Sequence, residues 1–181
     1  MKSEIALPRS FALTGLTRLT VLVGCALAIT AMGWPQWLTG TLVNALLLLS
    51  VEWAGLGSAM LVGMVTPIGA ATSGVLPLPL LVMIPFIAMA NATLVGVYDA
   101  LRRWNRLAAL IVAAVAKFAL LYAAVTLLVI RPLALATATG AQVIKLPATI
   151  VSMMQWPQLA TALAGGALAF GVGWSVRRLA R

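Results

Sequence analysis

The chain has 181 residues, 63% of them hydrophobic and only 8% charged, where a soluble domain carries about 25% charged residues. No water-soluble fold of this length hides that much apolar surface, so the composition excludes an aqueous globular domain and indicates one integral membrane domain, residues 1–181, embedded in the lipid bilayer. The net charge of +9 is gathered at the ends of apolar blocks (Lys2 and Arg9; Arg102, Arg103 and Arg106; Arg177, Arg178 and Arg181). That is the distribution of cytoplasmic edges facing phospholipid head groups, and it excludes nucleic acid, which calls for a basic stripe interleaved with aromatics.

Six apolar spans follow one another. The first covers residues 11–33; its charged start resembles a signal peptide, but the apolar run continues past Ala26-Leu27-Ala28, so a retained helix is expected. Trp34-Pro35-Gln36-Trp37 is an aromatic-flanked interfacial turn. The second and third spans, 38–51 and 54–68, are short and meet at Glu52-Trp53. They read either as two crossings, as one long helix, or with 54–70 as a re-entrant segment. Thr66 to Pro79, TPIGAATSGVLPLP, is rich in Pro and Gly and is expected to leave the helix and form a loop. The fourth span, 80–101, ends at Arg102-Arg103. The fifth, 107–130, is stopped by Arg131-Pro132. A long connection, 133–157, leads to the sixth, 158–176. Charge asymmetry decides the count. With six crossings all three basic clusters share one side, and only Arg131 and Lys145 lie on the other. The expected fold is an all-α six-transmembrane-helix bundle with cytoplasmic N- and C-termini.

The chemistry such a chain can perform is narrow. Histidine is absent and Cys25 is the only cysteine, so no zinc site, no serine–histidine relay and no intrachain disulfide can be built, and no metal site or enzymatic activity is expected. Glu4, Glu52 and Asp99 are the only acids, and none falls in mid-membrane where a coupling proton or sodium ion would be carried. Uphill transport would need energy from a partner. Lys117 does fall in mid-span, at an insertion cost of about 2.5–3.5 kcal/mol, and Asn91 reaches a similar depth on the neighbouring span. Lys117 reads either as the holder of an anionic group or as a lysine satisfied by helix carbonyls or by Asn91. Tyr122, about a turn further on, could line the same cavity or merely pack. Asn44 reads first as an interhelical hydrogen bond. Thr66 and Ser73 in the Pro/Gly stretch are candidates to face a ligand, and Trp34 and Trp156 to close over one, although interface anchoring also explains the tryptophans. Small residues recur at four-residue spacing (Thr20-Gly24-Ala28, Gly55-Ala59-Gly63, Gly165-Ala169-Gly173), as packing ridges or as a docking face for another subunit.

The succession of a small-residue first helix, Gly-Met-Val-Thr-Pro-Ile-Gly-Ala (63–70), Pro-Phe-Ile-Ala-Met-Ala-Asn-Ala (85–92), Ala-Lys-Phe (116–118) and Pro-Gln-Leu-Ala-Thr-Ala-Leu-Ala-Gly-Gly (157–166) resembles the S components of energy-coupling factor (ECF) transporters. The resemblance spans nearly the whole chain. It implies a high-affinity subunit of the prokaryotic inner or plasma membrane that binds a vitamin or related micronutrient under loops 1, 3 and 5. Such a subunit carries no cofactor of its own; ATP is consumed by two partner ATPases, coupled through a transmembrane T subunit. The matching docking positions are Gly24 and Ala28, where the family's usual pair is alanine–alanine. Two other classes stay open: a multi-span membrane scaffold without a solute, which would have no cavity, and a small stand-alone secondary transporter.

Overall fold

The computed structural model describes residues 9–74, 78–131, 134–137, 140–143 and 146–179. The fold is helical apart from one short hairpin. In chain order it comprises α1 (Arg9–Ala31), α2 (Gln36–Thr72), α3 (Leu78–Leu81), α4 (Ile84–Leu101), α5 (Arg106–Ile130), β1 (Ala134–Thr137), β2 (Gly140–Val143), α6 (Ala148–Met153) and α7 (Trp156–Leu179). Among the described residues five segments are long and apolar enough to cross a membrane: Thr14–Ala31, Gln36–Thr72, Ile84–Leu101, Arg106–Ile130 and Ala148–Leu179. Lys2, Glu4, Lys145 and Arg181 lie outside the described residues.

A straight α2 of 37 residues would run to about 55 Å, nearly twice the apolar thickness of a bilayer. It is not straight. Gly55 has φ 83 and ψ 172, a region open essentially to glycine alone, and there the helix doubles back. Leu47 of the first limb lies 3.4 Å from the point where a Cβ on Gly63 of the second would sit. The two short apolar stretches expected from the sequence are therefore antiparallel limbs, 36–54 and 56–72, of one hairpin. The break strands carbonyls at the end of the first limb, and Arg18 of α1 donates to one of them, Trp53 O, at 3.0 Å. Glu52 beside the turn accepts from Tyr98 at 2.9 Å and pairs with Arg106 at 3.1 Å and Arg102 at 3.5 Å. Arg102 in turn holds Asp99 at 2.8 Å. These contacts tie the turn to the α4–α5 corner and define a basic end of the bundle.

Three boundaries differ from the sequence expectation. Residues 66–72 remain helical, so the expected loop begins only at Ser73 and Gly74. The connection after α5 contains a hairpin, β1 and β2 paired antiparallel (Ala134 opposite Val143, Thr137 opposite Gly140). The last crossing starts earlier than expected and is broken, α6 giving way to α7 at Met154–Gln155. Two apolar clusters fill the interior. One, toward the basic end, gathers Leu47, Val62, Leu94, Tyr98 and Ala113. The other, toward the opposite end, gathers Leu80, Met83, Leu121, Val125 and Ile150. Lys117 falls between them along α5.

Candidate functional site

The polar layer between the two clusters begins with a proline. Pro67 sits inside α2 and has no N–H to give to the carbonyl four residues back, Gly63 O. In the apolar interior that acceptor needs another donor. It receives two: Asn91 Nδ2 at 3.0 Å and Thr66 Oγ1 at 3.0 Å. Asn91 Nδ2 also donates to Thr66 Oγ1 at 3.1 Å. With its amide nitrogen committed to the proline break, Asn91 presents its oxygen inward, and Lys117 Nζ donates to it at 2.7 Å. Lys117 makes a second bond of 2.7 Å, to Asn44 Oδ1. Asn44 Nδ2 passes the polarity on to Thr161 Oγ1 at 3.4 Å, and Thr161 donates to Gln158 O at 3.2 Å. Every donor in the chain points away from the ammonium, so two amide dipoles converge on it with their negative ends.

Close helix approach makes this possible. A Cβ on Gly165 would meet Asn44 Cβ and Thr41 O at 2.7 Å, so only glycine lets α7 lie directly on the first limb of α2. A Cβ on Gly63 would come within 3.1 Å of Asn91 Cβ, which brings α4 up to the freed carbonyl. Without the fold-back at Gly55, Asn44 and Thr66 would lie about 33 Å apart along one helix. Here both belong to one network.

Lys117 is 4% exposed, and its partners are two neutral amides. Among the described residues both carboxylates, Glu52 and Asp99, are engaged at the basic end. An ammonium carries three donors, and two have protein acceptors. Beside it lies a cavity of about 100 Å³ bounded by Asn44, Thr66, Asn91, Lys117, Pro67 and Gln158 and extending past Val43, Leu80 and Ile87 to Thr30, Gln36 and Thr39. Its far part thus reaches the end of the bundle opposite the arginines. Gln158, in the first turns of α7, places the start of that helix on the cavity wall.

Of the residues expected at a site, Lys117, Asn91, Asn44 and Thr66 come together. Thr66 does so as a buried helical residue and not from a loop. Tyr122 does not join them. It is 44% exposed and packs on Phe118 at 5.7 Å between ring centroids; five residues along a helix turn it about 140° from Lys117. Trp156 is also outside the cavity, stacked on the same Phe118 at 5.0 Å. Ser73 donates to Gly69 O at 2.7 Å and closes the end of α2. Trp34 is exposed beyond α1, its carbonyl accepting from Thr39. Gly24 and Ala28 lie on the exposed face of α1, opposite the buried Leu22-Ala26-Thr30 face that packs on α2. Thr161, Gln158 and Thr30 were not singled out from the sequence. A hydroxyl or amide in an apolar helix is the only signal they carry, and many such residues merely bond their own helix.

Compared with known proteins, the chain matches no protein-family model, no curated protein and no solved structure.

Proposed function

We propose that this chain is a substrate-binding membrane subunit for an anionic micronutrient, working as the S component of an ECF-type importer in a prokaryotic inner or plasma membrane. The observation that carries the reading is Lys117: a buried ammonium with two neutral acceptors, no carboxylate partner among the described residues, and a cavity at its side. A charge placed in mid-membrane at such cost is functional by default, and an anion in the cavity would supply the missing counter-charge. In this reading the two limbs of α2 cross separately, which makes six crossings of the five apolar segments. With the arginine-rich end in the cytoplasm, both termini are inside and the cavity reaches the outer face. The chain itself performs no catalysis in this reading. Energy comes from two ATPases through a T subunit that docks on the open small-residue face at Gly24 and Ala28.

The experiment is purification in mild detergent followed by mass spectrometry of small molecules released on denaturation, with uptake measured in cells with and without the ATPase and T subunits. A stoichiometric anionic molecule and ATPase-dependent uptake are expected. A protein that releases nothing and supports no uptake contradicts the reading. One observation favours the alternative of a solute-free membrane scaffold: the hydrogen bonds of Lys117 to Asn44 and Asn91 hold it internally. That alternative predicts that filling the cavity by Val43→Phe leaves all function intact.

A further inference from the structure

The lining of the cavity is more selective than a general anion site. Among the described residues it holds one cation, Lys117, and no second basic side chain. Its apolar walls are aliphatic or proline (Val43, Leu80, Ile87, Pro67) or the thioether of Met154, and among the described residues no Phe, Tyr or Trp borders it. The aromatic side chain next to Lys117 in sequence turns elsewhere: Phe118 packs against Tyr122 and Trp156. Planar aromatic solutes are usually gripped by ring stacking, and nothing here offers it. A dianion would bring one more charge than the single ammonium matches, in a medium where an unpaired charge is strongly disfavoured. The volume of about 100 Å³ is well below the roughly 300–1,000 Å³ of drug-sized ligand pockets. The remaining polar lining, Gln36, Thr39 and Gln158 among it, is neutral.

We propose that the cavity takes a small aliphatic monocarboxylate, its carboxylate accepting the third hydrogen bond of Lys117 and its alkyl chain lying along Val43, Leu80 and Ile87. This inference rests on the substrate-binding reading above and narrows it to one chemical class.

The test uses the full chain in lipid nanodiscs and needs no variant at its core. Straight-chain monocarboxylates from acetate to octanoate are titrated against the primary amide of each, with benzoate and adipate alongside, and binding is followed by tryptophan fluorescence and thermal stability. A chain-length optimum is expected within the carboxylate series. At that length the amide should bind roughly ten- to a hundredfold more weakly, the span of a charge-assisted hydrogen bond, and benzoate and adipate should be weaker than the matched carboxylate. Lys117→Gln, which keeps a donor but removes the charge, should level carboxylate and amide while keeping the fold. Equal binding of acid and amide, tighter binding of benzoate or adipate, or no binding by any member overturns the proposal. Identification of the co-purified molecule separates the two levels. An aromatic or dianionic cargo overturns this inference and leaves the substrate-binding reading standing, whereas a cationic cargo, or a protein empty of any cargo and inert in uptake, removes both.

Discussion

Asn91 is the residue on which the polar layer turns, because it serves two needs at once. Its nitrogen answers the carbonyl freed by Pro67, and its oxygen answers Lys117. Asn91→Ala should therefore be more damaging than a lost interhelical hydrogen bond, which in membranes averages well under 1 kcal/mol. It leaves a buried ammonium short of an acceptor, and removing one partner of a buried charge costs about 3–5 kcal/mol. Pro67→Ala restores a backbone N–H that can reach Gly63 O. In that background Asn91 no longer has the freed carbonyl to serve and keeps only Lys117 and Thr66 Oγ1, so Asn91→Ala should be milder there, with a coupling of about 0.5–3 kcal/mol between the two sites. Denaturation midpoints of the four proteins of the cycle measure this, and strictly additive effects would show that Asn91 does not compensate for the proline. Lys117→Met should behave differently from Asn91→Ala. It abolishes the cost of about 2.5–3.5 kcal/mol of a charge in mid-membrane and leaves Asn44 Oδ1 and Asn91 Oδ1 unpaired, at about 1–3 kcal/mol each. The terms oppose each other, so stability should fall by no more than about 3.5 kcal/mol while anion binding is lost. A large loss of stability would make Lys117 a structural strut.

At the scale of elements, two glycines of α2 and α7 and one of α1 do different jobs. Gly55 has nothing within 4 Å of a would-be Cβ, so replacing it by Ala tests backbone conformation alone. The expected loss is about 1–3 kcal/mol, read as a lowered unfolding temperature, and an unchanged temperature would mean the hairpin does not depend on that torsion. Gly165 has the opposite environment, with backbone at 2.7–2.8 Å, and even Ala there should push α7 off α2 and cost stability by overpacking, typically about 1–3 kcal/mol. Gly24 faces open space, so Gly24→Leu should leave the isolated subunit as stable as before. If the same face docks a T subunit, that substitution should reduce uptake while sparing ligand binding, and intact uptake would remove Gly24 from the docking surface. These contrasts also mark what was legible in the sequence. The depth of Lys117 and Asn91 could be counted from span ends, because charge and periodicity are local signals. The conformation of Thr66-Pro67 could not. Proline and glycine read as a break, yet the helix continues because a donor 24 positions further along the chain, Asn91, replaces the missing N–H. Tyr122 was misplaced by one residue of phase: its neighbour Leu121, four from Lys117, is buried, and Tyr122 faces outward. Trp156 was misplaced because the break at Met154–Gln155, which starts α7 beside the middle of α5, left no mark that differs from an ordinary loop.

For the whole molecule, charge and hydrogen bonding divide the bundle into layers, and the charge predicts an orientation. The basic end holds Arg18, Arg102, Arg103, Arg106, Arg177 and Arg178, with both described carboxylates paired among the arginines of the α4–α5 corner. Next comes the cluster around Leu47 and Leu94, then the Lys117 layer, then the cavity and the cluster around Leu80 and Ile150. A lone ammonium part-way through the bilayer has no bearing on topology, but the six described guanidiniums at one end do, since translocating them is opposed both by insertion energetics and by the membrane potential. The end carrying Ser73 should then face outward and the corner carrying Trp104, which is 85% exposed, should face the cytoplasm. Because Cys25 is the only cysteine, a Cys25→Ser background accepts single reporters. Ser73→Cys in intact cells should react with a membrane-impermeant maleimide, and Trp104→Cys should react only after the membrane is opened. The reverse labelling would turn the cavity toward the cytoplasm, where an importer's binding subunit cannot collect its cargo, and the arginine-rich end would then need an external anionic partner to explain it.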